Sequence, residues 1–211
     1  MQLYNYFRSS AAYRVRIALN LKGMDYDSTF IHLTKDGGKQ FEPAFRAINP
    51  QMRVPALKLD DGTILLQSLA IIEYLEETVP EPPLLPRNVL LRARVRALSQ
   101  VIACDIHPIN NLAPLRYLKD PLGHEQAAID AWYRHWILAG FPAIEAMIGE
   151  GPYAFGDQIT LADICIVPQM ANARRFKVPL DAFPKLVAVD AACAKLPAFE
   201  KALPQNQPDA E

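Results

Sequence analysis

A few short stretches of this 211-residue chain carry side chains suited to chemistry. Arg8-Ser9-Ser10 falls between an aromatic-rich run at residues 2–7 and the periodic segment AAYRVRIALNLKG. Hydroxyls at the start of a helix meet its free amides and its positive dipole end, which favour an anion. The same hydroxyls can serve simply as a helix cap. Gln67-Ser68 stands before LAIIEYLEE in the same way, and on its own reads as a cap. Val54-Pro55 opens an apolar run; proline cannot donate to a ladder, so it belongs at an edge or in a special geometry. His107 stands beside Pro108, followed by Asn110 and Asn111. A histidine there could donate a hydrogen bond or exchange a proton near neutral pH, or be satisfied by backbone at a kink. Arg8 and Arg175 carry the planar fork that meets a carboxylate with two parallel hydrogen bonds. Most lone arginines are solvated surface charges, and Arg14 and Arg16 read as structural partners of carboxylates. Thr160-x-x-Asp163 is a helix-opening capping box with Asp where Glu or Gln is usual.

Composition removes several classes of function. The formal net charge is −1 and the pI about 6.4, so there is no basic field for nucleic acid or an anionic membrane. Charge is not segregated either: residues 1–80 carry 9 basic and 9 acidic side chains. Cys104, Cys165 and Cys193 are odd in number and form no C-x-x-C, so they read as buried free thiols rather than a redox pair or zinc knuckle. No metal site is signalled. No run reaches the roughly 18 apolar residues of a membrane span, and the first residues lack a signal-peptide core. The expectation is a soluble, cytoplasmic chain. At 51% hydrophobic and 9% aromatic residues, it is rich enough to pack a core.

The elements that must position these residues follow from periodicity. Residues 2–7 and 26–33 read as strands around a helix whose apolar face is Ala11, Val15, Ala18 and Leu19. Gly23 stands where a helix-ending glycine belongs. Residues 34–53 read as a loop around one short helix. Two apolar runs joined by Asp61-Gly62 predict a hairpin with a tight primed turn, and Ser68 caps the next helix. The order is β-α-β-α-β-β-α. Residues 78–89 hold four prolines and read as a linker. Beyond them only helices are expected: 90–118 kinked at Pro108, 124–148 with Trp132, Trp136, Ala139, Ala143 and Met147 on its core stripe, 160–176, and one or two over 184–203. QNQPDAE reads as a frayed tail. The predicted domains are 1–78, a linker 79–89, and 90–211.

Spacing alone supports an α/β domain followed by an all-α one. The motifs go further. FRSSAAYRVRIAL, LKGMDYDS, NPQMRVPAL, QSLAIIEYLEE, FGDQITLADICIVPQ and NARRFKV occur in order along essentially the whole chain. In this the chain resembles the zeta class of the cytosolic glutathione transferases. The resemblance implies a thioredoxin-like domain at 1–78 that binds glutathione, and a helical bundle at 90–211 that binds substrate. It implies glutathione-dependent cis–trans isomerisation of maleylacetoacetate to fumarylacetoacetate, in tyrosine and phenylalanine breakdown, by a cytoplasmic homodimer acting on a small dicarboxylate.

By the same resemblance Ser9 contacts the glutathione thiolate, with Ser10 beside it. Val54 pairs with the cysteinyl backbone at a cis-proline edge. Gln67 and Ser68 hold the γ-glutamyl carboxylate, and Gln40 meets the glycyl end. His107 and Asn111 reach glutathione from the helical domain. Arg8 and Arg175 hold the substrate carboxylates, so that Ser9, Arg8 and Arg175 form the catalytic set. One departure stands out: Ala11 replaces the family's cysteine, which disfavours reductive dehalogenation but leaves isomerisation intact. Three alternatives stay open: a maleylpyruvate isomerase, a general glutathione transferase, and a non-enzymatic binding protein of this fold. The apolar stretch 98–109 motivates the dimer.

Overall fold

The computed structural model describes residues 1–211. The chain divides into two compact units, Met1–Leu84 with Ala194–Glu211, and Leu85–Cys193.

The first unit is built on a four-stranded sheet in the order β2-β1-β3-β4. Strand β1 (Gln2–Asn5) runs parallel to β2 (Asp27–Phe30) and antiparallel to β3 (Ala56–Lys58), which pairs antiparallel with β4 (Ile64–Leu66). Leu3 stands opposite Leu57 and both are fully buried, which fixes the register of the central pair. Helix α1 (Ser10–Leu21) makes the crossover and buries residues on nearly every side, Arg14 and Arg16 included. It stops at Gly23, whose φ of +63° lets Gly23 N reach Asn20 O and Met24 N reach Leu19 O, the paired bonds of a Schellman ending. Helix α2 (Pro43–Ile48) lies in the loop before β3, and α3 (Ser68–Thr78) follows β4.

The hairpin is not the two-residue turn expected at Asp61-Gly62. Gly62 N bonds Leu59 O, Leu59 N bonds Thr63 O, and Gly62 has φ +90°. Asp60 and Asp61 are therefore the turn centre and Gly62 the left-handed residue after it. The proline-rich stretch is anchored. The Lys22 ammonium lies buried against Glu76 Oε2 (2.6 Å) and Pro82 O (2.8 Å), and Leu84 N reaches the same carboxylate oxygen (2.9 Å).

The second unit is all helix: α4 (Val89–Gln100), α5 (His107–Asn110), α6 (Leu112–Lys119), α7 (Gln126–Met147), α8 (Leu161–Arg175) and α9 (Pro184–Cys193). Between α4 and α5 the segment Val101–Ile106 is wound wider, with His107 N bonding Ile102 O five residues back. Pro108 follows at once and has no N–H to continue an α-helical ladder. This widening turns Ile102 and Ile106 inward and leaves Cys104 exposed, so only Cys165 and Cys193 are buried thiols. It also accounts for the long apolar stretch 98–109, since Leu98, Ile102 and Ile106 belong to the core of this unit. On α7 the core stripe is Ile129, Tyr133, Ile137, Phe141 and Ile144. The expected stripe was one register off. Trp132 and Trp136 are half-buried at its margin, where Trp132 Nε1 finds Ile109 O at 2.9 Å, and Ala139 and Ala143 are exposed. Helix α8 opens with the expected box: the Asp163 carboxylate takes Thr160 N (2.8 Å), Thr160 Oγ1 (2.9 Å) and Ala154 N (2.7 Å).

The last residues leave this helical unit. Helix α10 (Pro197–Ala202) packs on α1, where Asn20 Nδ2 bonds Ala198 O and Arg16 bonds Ala202 O. The stretch after it, expected to fray, is docked: Gln207 is buried and Asp209 accepts from Phe7 N. The sequence division at residues 90–211 therefore differs from the compact units, because Arg16 and Asn20 of α1 find acceptors at Ala202 and Ala198, and Phe7 N finds one at Asp209.

Candidate active site

In the first unit, the positions singled out by sequence gather at the ends of helices and strands. Ser9 caps α1: its Oγ accepts from Ala12 N at 3.2 Å, and Ser9 N donates to Tyr6 O at 2.9 Å. Ser10 is the first helical residue and is buried. Arg8 is exposed, its guanidinium 4.9 Å from the Phe7 ring centre. One turn after Ser10, on the same face of α1, buried Arg14 donates from Nη1 to Ser68 Oγ at 3.3 Å. That bond joins the first turn of α3 to α1, and brings Ser68 to the helix carrying Ser9 and Ser10 at its start. Ser68 lends its oxygen to Arg14, so its own O–H remains to donate to an anion.

Gln67 precedes α3 with φ +69° and ψ 121°, a conformation rarely adopted by a side-chain-bearing residue. Its Nε2 donates to Gln51 Oε1 at 2.9 Å. The 49–53 loop behind it is held by Asn49, whose Nδ2 bonds Arg53 O at 2.7 Å. The Val54-Pro55 bond is cis. The sheet pairing of β3 begins at Ala56, so Val54 lies past the paired register, with backbone available to an added strand. Gln40 is buried and donates from Nε2 to Leu33 O at 3.2 Å, which turns its donor toward the protein. Gly38 lies against it at φ +106°, and a Cβ there would stand 2.7 Å from the Gln40 amide.

Arg14 and Arg16 are buried within the fold, Arg14 bonding Ser68 Oγ, while the hydrogen bonds of Arg16 go to carbonyl and amide oxygens rather than to the expected carboxylate. Arg16 is fully buried and donates to Ala202 O, Phe7 O, Tyr6 O and Asn5 Oδ1. Burial pulls its guanidinium down to about 10, opposed by Tyr26, Tyr13 and Asp209.

In the second unit, Arg175 is the last residue of α8 and is exposed. Its Nη2 donates to Asn172 Oδ1 at 3.3 Å and its guanidinium lies 4.8 Å from the Phe176 ring. Phe176 stacks on Tyr133 at 3.6 Å and 9°. Burial pushes the Tyr133 phenol up and the nearby Arg175 guanidinium opposes the shift. Nothing in the sequence marked Tyr133 as a support for Arg175. His107 is half-buried at the start of α5. Asn111 caps α6, its Oδ1 accepting from Ala113 N at 2.9 Å, which leaves its amide N–H2 to reach a ligand. Asn110 is turned inward to Tyr133 O (3.2 Å).

Residues 8–78 match the family described as Glutathione S-transferase, N-terminal domain, and residues 136–204 match Glutathione S-transferase, C-terminal domain. The chain belongs to the glutathione S-transferase family, and its sheet and helical unit are that fold. Over 209 residues it is 49% identical to the maleylacetoacetate isomerase of Pseudomonas aeruginosa, covering 99% of this chain and 98% of that protein. A bacterial zeta-class glutathione S-transferase, a maleyl pyruvate isomerase solved in its holo form, is 50% identical, with a TM-score of 0.96 and full coverage of both chains. The maleylacetoacetate isomerase of Methylobacterium extorquens AM1, solved with malonate and GSH bound, is 39% identical with a TM-score of 0.95, again over both whole chains.

Proposed function

We propose that this chain is a glutathione-dependent cis–trans isomerase that converts maleylacetoacetate to fumarylacetoacetate. One observation carries the reading: the full-length likeness to maleylacetoacetate isomerases comes with hydroxyls at two helix starts, Ser9 and Ser68, the second bonded by Arg14 of the helix that Ser9 caps, and an unpaired edge at Val54. These features fit glutathione, which has carboxylates for helix starts, a thiol for a hydroxyl and a peptide backbone for a strand edge. When bound, glutathione supplies the thiolate that adds to the conjugated double bond, frees it to rotate and then leaves.

The chain's own residues do the rest. The Ser9 O–H and the first amides of α1 hold negative charge on sulfur and lower the thiol's pKa. Ser68 and Gln67 bind the γ-glutamyl carboxylate, and Val54 pairs with the cysteinyl backbone. Ser10, Gln40, His107 and Asn111 complete the proposed glutathione contacts; Gln40 must turn its amide to donate. Arg8 and Arg175 are the proposed partners of the two substrate carboxylates, and Arg8 also steadies the charge that develops on the adjacent substrate oxygen. The substrate is thus a small dicarboxylate.

A second reading is a maleylpyruvate isomerase, which does the same chemistry on a shorter diacid; the holo neighbour at 50% identity favours it. The deciding experiment follows loss of maleylacetoacetate absorbance with glutathione supplied, run beside maleylpyruvate. Turnover of the first at the higher kcat/KM supports the proposal. Turnover of maleylpyruvate alone transfers it to the second reading. Conjugation of apolar electrophiles without isomerisation would make the chain a general transferase, and glutathione binding without turnover a binding protein.

The proposed assembly is a homodimer formed through the second unit, where Val89 and Leu90 of α4 are 79% and 65% exposed. A cytoplasmic setting goes with three free thiols, and no helix is long and apolar enough to cross a membrane.

A further inference from the structure

The loop that carries Arg8 and Ser9 is held from outside itself. Ser9 N bonds back to Tyr6 O. Both peptide groups of Phe7 and the carbonyl of Tyr6 are held by two side chains outside the loop. Arg16 donates from Nη2 to Phe7 O (3.1 Å) and from Nη1 to Tyr6 O (3.4 Å). Phe7 N donates to Asp209 Oδ2 at 3.0 Å, across 202 residues of chain. The segment that supplies Asp209 also anchors Arg16, since Ala202 O accepts from Arg16 Nε (3.1 Å) and Nη2 (3.0 Å).

That segment is itself pinned on both sides of Asp209. Gln207 Nε2 bonds Lys201 O and Leu203 O, both at 2.9 Å. Ala210 packs on the cluster of Tyr6, Phe7, Ile31, Phe45 and Val54. Glu211 reaches His32 Nε2 at 3.1 Å and pairs with Lys35. Asp209 therefore has a defined place rather than a loose end. Its second oxygen, Oδ1, is buried without a hydrogen-bond partner, an unfavourable arrangement that packing of the tail does not itself require.

We propose that Asp209 is a positioning residue of the reaction. By accepting the Phe7 N–H it fixes the direction in which the next two residues present the Arg8 guanidinium and the Ser9 hydroxyl. It touches neither glutathione nor the diacid. The proposal rests on the isomerase reading above for its kinetic consequence, but not for its structural one.

The experiment compares purified full-length variants. Asp209→Ala should lower kcat for isomerisation about tenfold, the usual effect of losing a hydrogen bond to a charged group. The KM for glutathione should stay near the wild-type value, because Gln67 and Ser68 are untouched. The thiol of bound glutathione, followed by ultraviolet absorbance of the thiolate, should ionise at higher pH. Amide hydrogen exchange over residues 6–10 of the ligand-free protein should quicken. Asp209→Asn, whose amide oxygen can accept the same N–H, should restore most of kcat. Gln207→Ala loosens the same segment without touching Phe7, and should keep wild-type kcat and thiol titration even where its melting temperature falls. Wild-type kcat and thiol titration in Asp209→Ala would overturn the proposal. So would a loss of kcat in Gln207→Ala that matches its loss of stability. Should Asp209→Ala fail to fold, Asp209→Glu moves the acceptor and keeps the charge; unchanged kcat there overturns the proposal, and reduced kcat at a wild-type melting temperature supports it. A wild-type protein that isomerises neither diacid removes the isomerase reading alone. Exchange at residues 6–10 then decides whether Asp209 orders the loop.

Discussion

Arg8 and Arg175 are both exposed, and each already lies over an aromatic ring, Phe7 and Phe176. A guanidinium braced in this way loses less freedom when it takes a carboxylate. Arg8→Ala and Arg175→Ala should each lower kcat/KM for the diacid by about 2–3 kcal/mol, and Arg→Lys should recover only part, since an ammonium cannot make paired bonds. Arg46→Ala, on the exposed face of α2, should change kcat/KM by less than about 0.5 kcal/mol. Steady-state kinetics with small diacids as competitive inhibitors checks all three; wild-type values for both Ala variants would remove the substrate arginines. Glutathione affinity has its own test. Gln67→Ala or Ser68→Ala should weaken binding by about 1–2 kcal/mol in calorimetry, with the fold intact. The helix-start positions of Ser9, Gln67 and Ser68 were legible from the apolar-periodic runs that follow them, whereas their proposed glutathione roles come from the resemblance alone. Arg14 as the support of Ser68, and Gln51 as the partner of Gln67, were not legible. Their partners lie 54 and 16 residues away, and local pattern carries no such distance.

The elements were read from period, and period succeeds where one face is buried. The β-α-β-α-β-β-α order is present, with Gly23 and Gly62 at the expected breaks, whereas Ser68, expected as a cap, is the first residue of α3, which has no side-chain cap. Helix α7 shows the limit. Its apolar residues cover more than one face, so stripes one residue apart fit almost equally, and three-dimensional packing chose the one through Tyr133. The widened turn at Val101–Ile106 was foreshadowed only as a kink at Pro108. The box at the start of α8 was fully legible, as its bonds close within four residues, and it supports a prediction. Thr160→Ala should destabilise the chain by about 1 kcal/mol, the usual value of an N-terminal cap. Asp163→Ala should cost about 3 kcal/mol, because it strands buried donors at Ala154 and Thr160. Chemical denaturation gives both numbers; equal small losses would mean that the carboxylate adds little beyond the cap.

At the scale of the molecule, the proposed dimer and the three thiols can be examined together. Light scattering at micromolar concentration should give twice the 23.6 kDa chain mass. Cys104 is exposed in the single chain, whereas Cys165 and Cys193 are buried and burial pushes the Cys193 thiol up. One thiol per chain should therefore react readily with an alkylating agent, and isomerisation should survive its modification. Reaction of all three at similar rates would contradict the described burial. Slower reaction of Cys104 as protein concentration rises would place it near the interface.

The return of Ala194–Glu211 to the first unit bears on how the chain is made. A ribosome releases Arg16 from its exit tunnel long before it adds Ala202, and Phe7 long before Asp209. A guanidinium that ends fully buried must wait for its carbonyl through the addition of 186 further residues. Residues 1–84 thus lack part of their own unit while the second unit is being threaded out, and the closing stitch comes only with residues 194–211. A fragment ending at residue 84 should be aggregation-prone for the same reason, and a synthetic peptide of residues 194–211 added in trans should rescue it.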